Sequence, residues 1–408
     1  MNAAPERGGG PDTTSGPPPS GDGPMRERAA EVLRTVRPGA GRPGASERAA
    51  RMHPAARLED AFDRRVAAVL RRRGWTLRIE PYAGYGGPGW VRVFARTLLA
   101  APQVHDDDLP GAGAAAQAGA RPAPALRGWR SFATAQVAGA ELEVRVGERV
   151  HRIRTDRGGY ADVRLDSDLA PGWHDVELRA PSGAVAVAPV HVVDPEVRGG
   201  IVSDIDDTVL VTRLPRMFVA AWNTLVRHEN AREPVAGMAG LYARLAAGDE
   251  RVPVVYLSTG AWNAAPAIGR FLRRFGYPAG PMLLTDWGPT NTGWFRSGRE
   301  HKLGQLRRLI EDFPHIRWVL VGDDGQHDPQ IYAAIAAEHP DHVRAVLIRQ
   351  LTFAEHVLAH GLPAPAHEAV RAENRAARDG LRDGIAVLQG EDGYELLRAV
   401  HAAGVDLT

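Results

Sequence analysis

The chain has no cysteine, and of its 50 lysine and arginine residues only one is lysine. The first absence excludes disulfides, thiolate metal sites and a cysteine nucleophile. The second singles out Lys302, in Glu300-His301-Lys302-Leu303. Arginine is a broad planar fork and lysine a compact charge on a thin stem, so a kept lysine suits a place where a small anion is met end-on. A charge imbalance is missing too. At +1 overall there is no global field toward nucleic acid, which is not an expected partner, and contact with a membrane would need a local patch. No apolar run is long enough to span a bilayer. The first residues, Met1-Asn2-Ala3-Ala4-Pro5-Glu6-Arg7, run on into Gly, Pro and Ser, so a secretory signal is not expected. The expected location is cytoplasmic, with room for peripheral contact at a membrane surface.

Apolar residues make up 44% of 408, enough for real cores, and the length suggests two domains with tails. Residues 1–50 are rich in Pro, Gly, Ser and Arg and are expected to be a disordered tail. A helix is predicted within 51–75, with Leu58, Phe62, Val66 and Leu70 on one face. Over 76–195 the pattern has period two, as in Trp90-Val91-Arg92-Val93-Phe94-Ala95-Arg96 and Leu142-Glu143-Val144-Arg145-Val146, and predicts a small β-sandwich. From 196 to 352 come short, near-continuous apolar runs at Ile201-Val202, Val252–Leu257, Met282-Leu283-Leu284, Trp318–Val321 and Val343–Ile348, separated by amphipathic stretches. That rhythm predicts an α/β domain with a doubly wound parallel sheet. A helical insert is expected at 210–250. In it Phe218 and Trp222, beside Arg213 and Arg216, suit a cap helix or an interfacial one. The remainder, 353–408, reads as a helical segment.

The polar residues that stand out lie where the apolar runs end. Ser203-Asp204-Ile205-Asp206-Asp207-Thr208 follows the first run. A carboxylate there can attack phosphorus, and a second two residues on can protonate the leaving alkoxide and then deprotonate water. Thr208 can fix one of these groups by a hydrogen bond. Ser258-Thr259-Gly260 ends the next strand, where a hydroxyl and backbone N–H groups suit either a phosphate cradle or a plain helix cap. Lys302 can neutralise a phosphoryl group together with its nucleophile. Gly322-Asp323-Asp324-Gly325-Gln326-His327-Asp328 closes the set. Asp323 is the natural Mg²⁺ ligand and Asp328 a second candidate. Asp324 ranks below them, and His327 reads as structural or exposed. Attack of an anion on an anion needs charge relief, which Mg²⁺ and a lysine supply.

These four segments resemble, in order, the motifs of the haloacid dehalogenase-like phosphatase superfamily. With Pro234-Val235-Ala236-Gly237-Met238, Leu241-Tyr242, Trp262-Asn263 and Asp328-Pro329-Gln330-Ile331-Tyr332, residues 198–350 resemble the catalytic domain of actin-patch-associated phosphatidate phosphatases. The resemblance implies a Rossmann-like catalytic domain, with Asp204 as nucleophile and Asp206 as acid/base. It implies that Asp204, the Asp206 backbone carbonyl and Asp323 hold Mg²⁺, and that Ser258 and Lys302 bind phosphate. The sequence departs from the fungal pattern in two places: Thr259-Gly260-Ala261 stands where Asn-Ser-Pro is usual, and Asp324 where Ser is usual.

The leading expectation is therefore a Mg²⁺-dependent hydrolase that converts phosphatidate to diacylglycerol and phosphate through an aspartyl-phosphate. Two alternatives remain: a phosphomonoesterase for a soluble ester, and a catalytically inactive adaptor.

Overall fold

The structure, a computed structural model, describes residues 65–101, 135–211, 233–285, 294–352, 355, 372–376 and 384–405. The expected disordered tail, most of the 210–250 insert with Phe218 and Trp222, and much of 353–408 lie outside the described residues. So does the first part of the helix expected at 51–75, of which residues 65–72 are described as helical.

Eight strands form one mixed sheet: β1 (Thr76–Gly87), β2 (Trp90–Ala100), β3 (Ala135–Gln136), β4 (Glu141–Val146), β5 (Arg149–Arg154), β6 (Tyr160–Asp166), β7 (Gly172–Arg179) and β8 (Val185–Val192). Their order is β3-β2-β1-β8-β7-β4-β5, with β6 also paired to β2. All pairs are antiparallel except β1 with β8, which run parallel. The sheet curls until its ends approach, and the His151 ring on β5 bonds the Asp166 carbonyl on β6 at 3.0 Å.

Six strands form a second, all-parallel sheet: β9 (Gly199–Ser203), β10 (Val254–Ala261), β11 (Met282–Thr285), β12 (Arg317–Asp323), β13 (Val343–Arg349) and β14 (Ala386–Gly390), in the order β11-β10-β9-β12-β13-β14. The connecting helices include α1 (Met238–Leu245), α2 (Ala265–Arg274), α3 (Trp294–Asp312) and α4 (Asp328–Glu338), and α5 (Gly393–Ala403) follows β14. The central strands β9, β12 and β13 are buried along nearly their whole length, which is why they read as unbroken apolar runs rather than alternating ones.

Topology corrects the expected fold class. The alternating strands do not stack as two sheets of a β-sandwich but join one curled mixed sheet. The parallel sheet is present, yet the chain is strand-rich and is not clearly a doubly wound, haloacid dehalogenase-like Rossmann fold. The physical reason is that periodicity reports which faces of a strand are buried, not which strand lies beside it or what covers the sheet. The sixth parallel strand, β14, lies within the segment read as helical.

The two sheets share one apolar core. Tyr82, Tyr85, Trp90 and Phe94 of the mixed sheet sit in the same cluster as Ile201, Trp262, Leu306 and Phe313. Tyr82 packs against Trp262 at a tilt of 35° with ring centres 4.6 Å apart, and Trp90 meets Phe313 at 5.7 Å. Arg92 lies buried in this seam. It grips Asp162 through two bonds of 2.6 Å and donates to the Tyr85 hydroxyl, which donates in turn to Asp312 at the end of α3.

Candidate active site

Three neighbouring parallel strands deliver polar groups to one edge of the sheet. Register sets Ser203 of β9 beside Tyr256 of β10 and Val321 of β12. Each chain needs only one or two more residues to reach Asp204, Ser258 and Asp323. Parallel strands end at the same side, so residues far apart in sequence become neighbours there.

Lys302, near the middle of α3, reaches into this edge. Its Nζ lies 2.6 Å from Asp204 Oδ1 and 2.6 Å from Asp328 Oδ1. Carboxylate oxygens of Asp204, Asp323 and Asp328 lie within 4.8 Å of one another. These four side chains are almost completely buried. Gly322 permits the close approach, because a Cβ there would stand 2.6 Å from Asp328 Oδ2.

The charge does not balance. Three buried carboxylates, with Asp206 beside them, face one ammonium group. Burial raises the Asp204 pKa well above the carboxylate range; Lys302 opposes this, while Asp328 and Asp206 add to it. For Lys302, burial works against the charged form, but Asp204 and Asp328 outweigh it and hold the pKa above the usual lysine value. Such a cluster is stable as anions only when further positive charge arrives. Asp206 Oδ1 and Asp328 Oδ2 are buried and find no hydrogen-bond donor among the described residues. An all-oxygen, carboxylate-rich donor set with spare oxygens suits a hard divalent cation such as Mg²⁺.

The other expected residues fall in different places. Ser258 Oγ donates to Asp206 Oδ2 at 3.0 Å and accepts from the Gly260 N–H at 2.9 Å. Thr208 is buried, with Oγ1 3.5 Å from Asp204 Oδ2. Thr259 and Gly260 lie inside β10, not at a helix start: α2 begins at Ala265, and their carbonyls accept from Thr285 Oγ1 at 2.8 and 3.2 Å. Asp323 Oδ1 accepts from the Gly325 N–H at 2.8 Å. Asp324 turns elsewhere and accepts from the Leu351 N–H at 2.9 Å. His327 stands just before α4.

Some supporting residues went unread in the sequence. Ser203 Oγ donates to the Asp204 carbonyl at 2.6 Å and contacts the Tyr242 hydroxyl at 2.5 Å. Asp207 adopts φ = 57°, unusual for a residue with a Cβ, and its carbonyl accepts from Arg349 at 2.8 Å. One signal pointed to Arg349: it is a charged residue closing the buried run Val343–Ile348.

This edge lies within a recognised family segment. Residues 199–350 match the family described as the catalytic domain of phosphatidate phosphatase APP1. The segment belongs to that family. Phosphatidate phosphatase APP1 of Saccharomyces cerevisiae is 24% identical over 201 residues, covering 48% of this chain and 34% of the yeast protein. An uncharacterised protein of Schizosaccharomyces pombe is 26% identical over 155 residues, covering 37% of this chain and 25% of its own length. A Jannaschia protein named phenylalanine–tRNA ligase alpha subunit is 28% identical over 194 residues, covering 44% of this chain and 52% of its own. The chain thus spans between a quarter and about half of the curated relatives it matches. Among the described residues, no helix is long and apolar enough to cross a membrane.

Proposed function

We propose that the chain is a phosphoric monoester hydrolase of the phosphatidate phosphatase type, releasing diacylglycerol and phosphate from phosphatidate. The observation that carries this reading is the convergence of Asp204, Asp206, Ser258, Lys302, Asp323 and Asp328 at one sheet edge inside the matched family segment.

In this reading Asp204 is the nucleophile. Lys302 holds its Oδ1, leaving Oδ2 with only the long Thr208 contact among the described residues. Attack of a carboxylate oxygen on phosphorus forms an aspartyl-phosphate as the ester oxygen leaves. Asp206 is the acid/base. The Ser258 hydroxyl fixes one of its oxygens, and the other is free to pass a proton to the leaving alkoxide and later take one from water. Lys302 stays protonated and offsets charge on the phosphoryl oxygens. Asp204, Asp323 and Asp328, with the Asp206 backbone carbonyl, would hold Mg²⁺. When bound, the ion neutralises the carboxylates and polarises the phosphoryl group.

The test is phosphate release from phosphatidate in mixed micelles, beside sugar and nucleotide phosphates, with Mg²⁺ or with a chelator. Phosphatidate turnover that needs Mg²⁺ and disappears in Asp204→Asn is expected. Equal or faster hydrolysis of soluble esters overturns the lipid assignment. No release from any ester leaves the adaptor reading.

A further inference from the structure

The family match ends at residue 350, but the contacts that hold the site continue beyond it. Both acidic loops are tied to later parts of the chain. On the first loop, Asp207 adopts a left-handed conformation that a residue with a β-carbon keeps only when its surroundings offset the cost. Arg349 does this. It is 4% exposed and spends its guanidinium on three partners: the Asp207 carbonyl at 2.8 Å, Glu355 at 2.6 Å and the Glu391 carbonyl at 3.0 Å. On the second loop, Asn374 is 2% exposed, and its Nδ2 donates to the carbonyls of Asp324 at 3.1 Å and Gln326 at 3.0 Å. The Leu351 N–H takes the Asp324 side chain.

We infer that Asn374, together with Arg349 and the Glu355 and Glu391 groups that Arg349 meets, forms a clamp on the two acidic loops, with Asn374 and Arg349 as its positioning residues. Asn374 pins the carbonyls on either side of Gly325, the turn that separates Asp323 from Asp328. One amide group thereby fixes where two carboxylates stand relative to each other. It touches neither, so its effect must appear in how the pair binds a cation. Groups that orient ligands in this way typically matter ten- to a hundred-fold in metal affinity. The inference rests on the reading that these carboxylates hold a divalent ion.

The experiment uses the full chain and Mn²⁺ alone, with free Mn²⁺ followed by electron paramagnetic resonance and no substrate present. In Asn374→Ala and Asn374→Asp the Mn²⁺ dissociation constant rises about ten-fold or more. Asn374→Ser keeps one donor, is the milder change for folding, and recovers part of the loss. Arg349→Lys keeps the charge but cannot reach all three partners, and it weakens Mn²⁺ binding as well. A purely structural role predicts lower thermal midpoints with unchanged Mn²⁺ affinity in every variant, and that result overturns the clamp alone. A wild type that binds no Mn²⁺ overturns the metal reading and the clamp together.

Discussion

The molecule buries charge in two regions and does so in opposite ways. In the mixed sheet, Arg92 is 1% exposed, but its counterion Asp162 meets it with two bonds and Tyr85 takes a third donor. Demand and supply match there, as they must when an ion leaves water for structural reasons. At the edge of the parallel sheet, one ammonium faces Asp204, Asp323 and Asp328 with Asp206 alongside. Asp206 Oδ1 and Asp328 Oδ2 find no hydrogen-bond donor among the described residues. A satisfied buried ion holds a structure together. Carboxylates crowded around one ammonium suit an added cation.

The largest effects that sharpen this contrast are at Asp204 and then Lys302. Asp204→Asn is expected to lower phosphatase kcat by on the order of 10³-fold or more, as loss of a nucleophile does. Lys302→Arg keeps the charge and still loses on the order of 10²-fold in kcat/KM, because the longer, broader guanidinium does not fit the buried space that the ammonium fills between two carboxylates. Near-normal kcat/KM in Lys302→Arg would show that only net charge matters there.

Next come two isosteric changes with opposite signs. Asp162→Asn leaves Arg92 buried without its charged partner and costs about 1–2 kcal/mol in urea unfolding, Asp162 itself being 44% exposed. Asp323→Asn removes one of the crowded carboxylates while leaving an oxygen to accept from Gly325. In chelator it raises the thermal midpoint by roughly 1–3 °C, and it abolishes the further rise that Mg²⁺ gives the wild type. If both substitutions destabilise the metal-free chain alike, the two regions do not differ as described.

How much of this could be read from the sequence also differs between the regions. The site was legible because its chemistry sits at strand ends: an unbroken apolar run marks the strand, and the next polar residue must emerge at the sheet edge. Asp204, Ser258 and Asp323 follow from that rule. The mixed sheet was not legible in the same way. Trp90-Val91-Arg92-Val93 alternates, which fits a strand with one face in water, yet Arg92 lies in the seam against α3. Alternation cannot separate a solvated arginine from one paired across a domain seam. Arg349 shows only as a charge closing an apolar run and Asn374 carries no pattern at all, since their role arises from loops 142 and about 50 residues distant that meet only in the folded chain.

The smallest expected effect tests the mixed sheet by itself. His191 is buried beneath Trp173, with ring centres 4.9 Å apart. Burial, and to a lesser degree the nearby charge of His174, lowers its pKa from 6.5 to about 4. The folded state therefore keeps this imidazole neutral where the unfolded chain already binds a proton. Its contribution is complete above pH 6.5, declines as the pH falls toward about 4, and is flat below that. At pH 5 the loss is about 2 kcal/mol. Other groups titrate in the same range, so the comparison is the difference between wild type and His191→Gln. Urea midpoints at pH 7.5 and pH 5 should fall further in the wild type than in the variant. Parallel shifts in both chains would mean that Trp173 admits enough water to let His191 titrate normally.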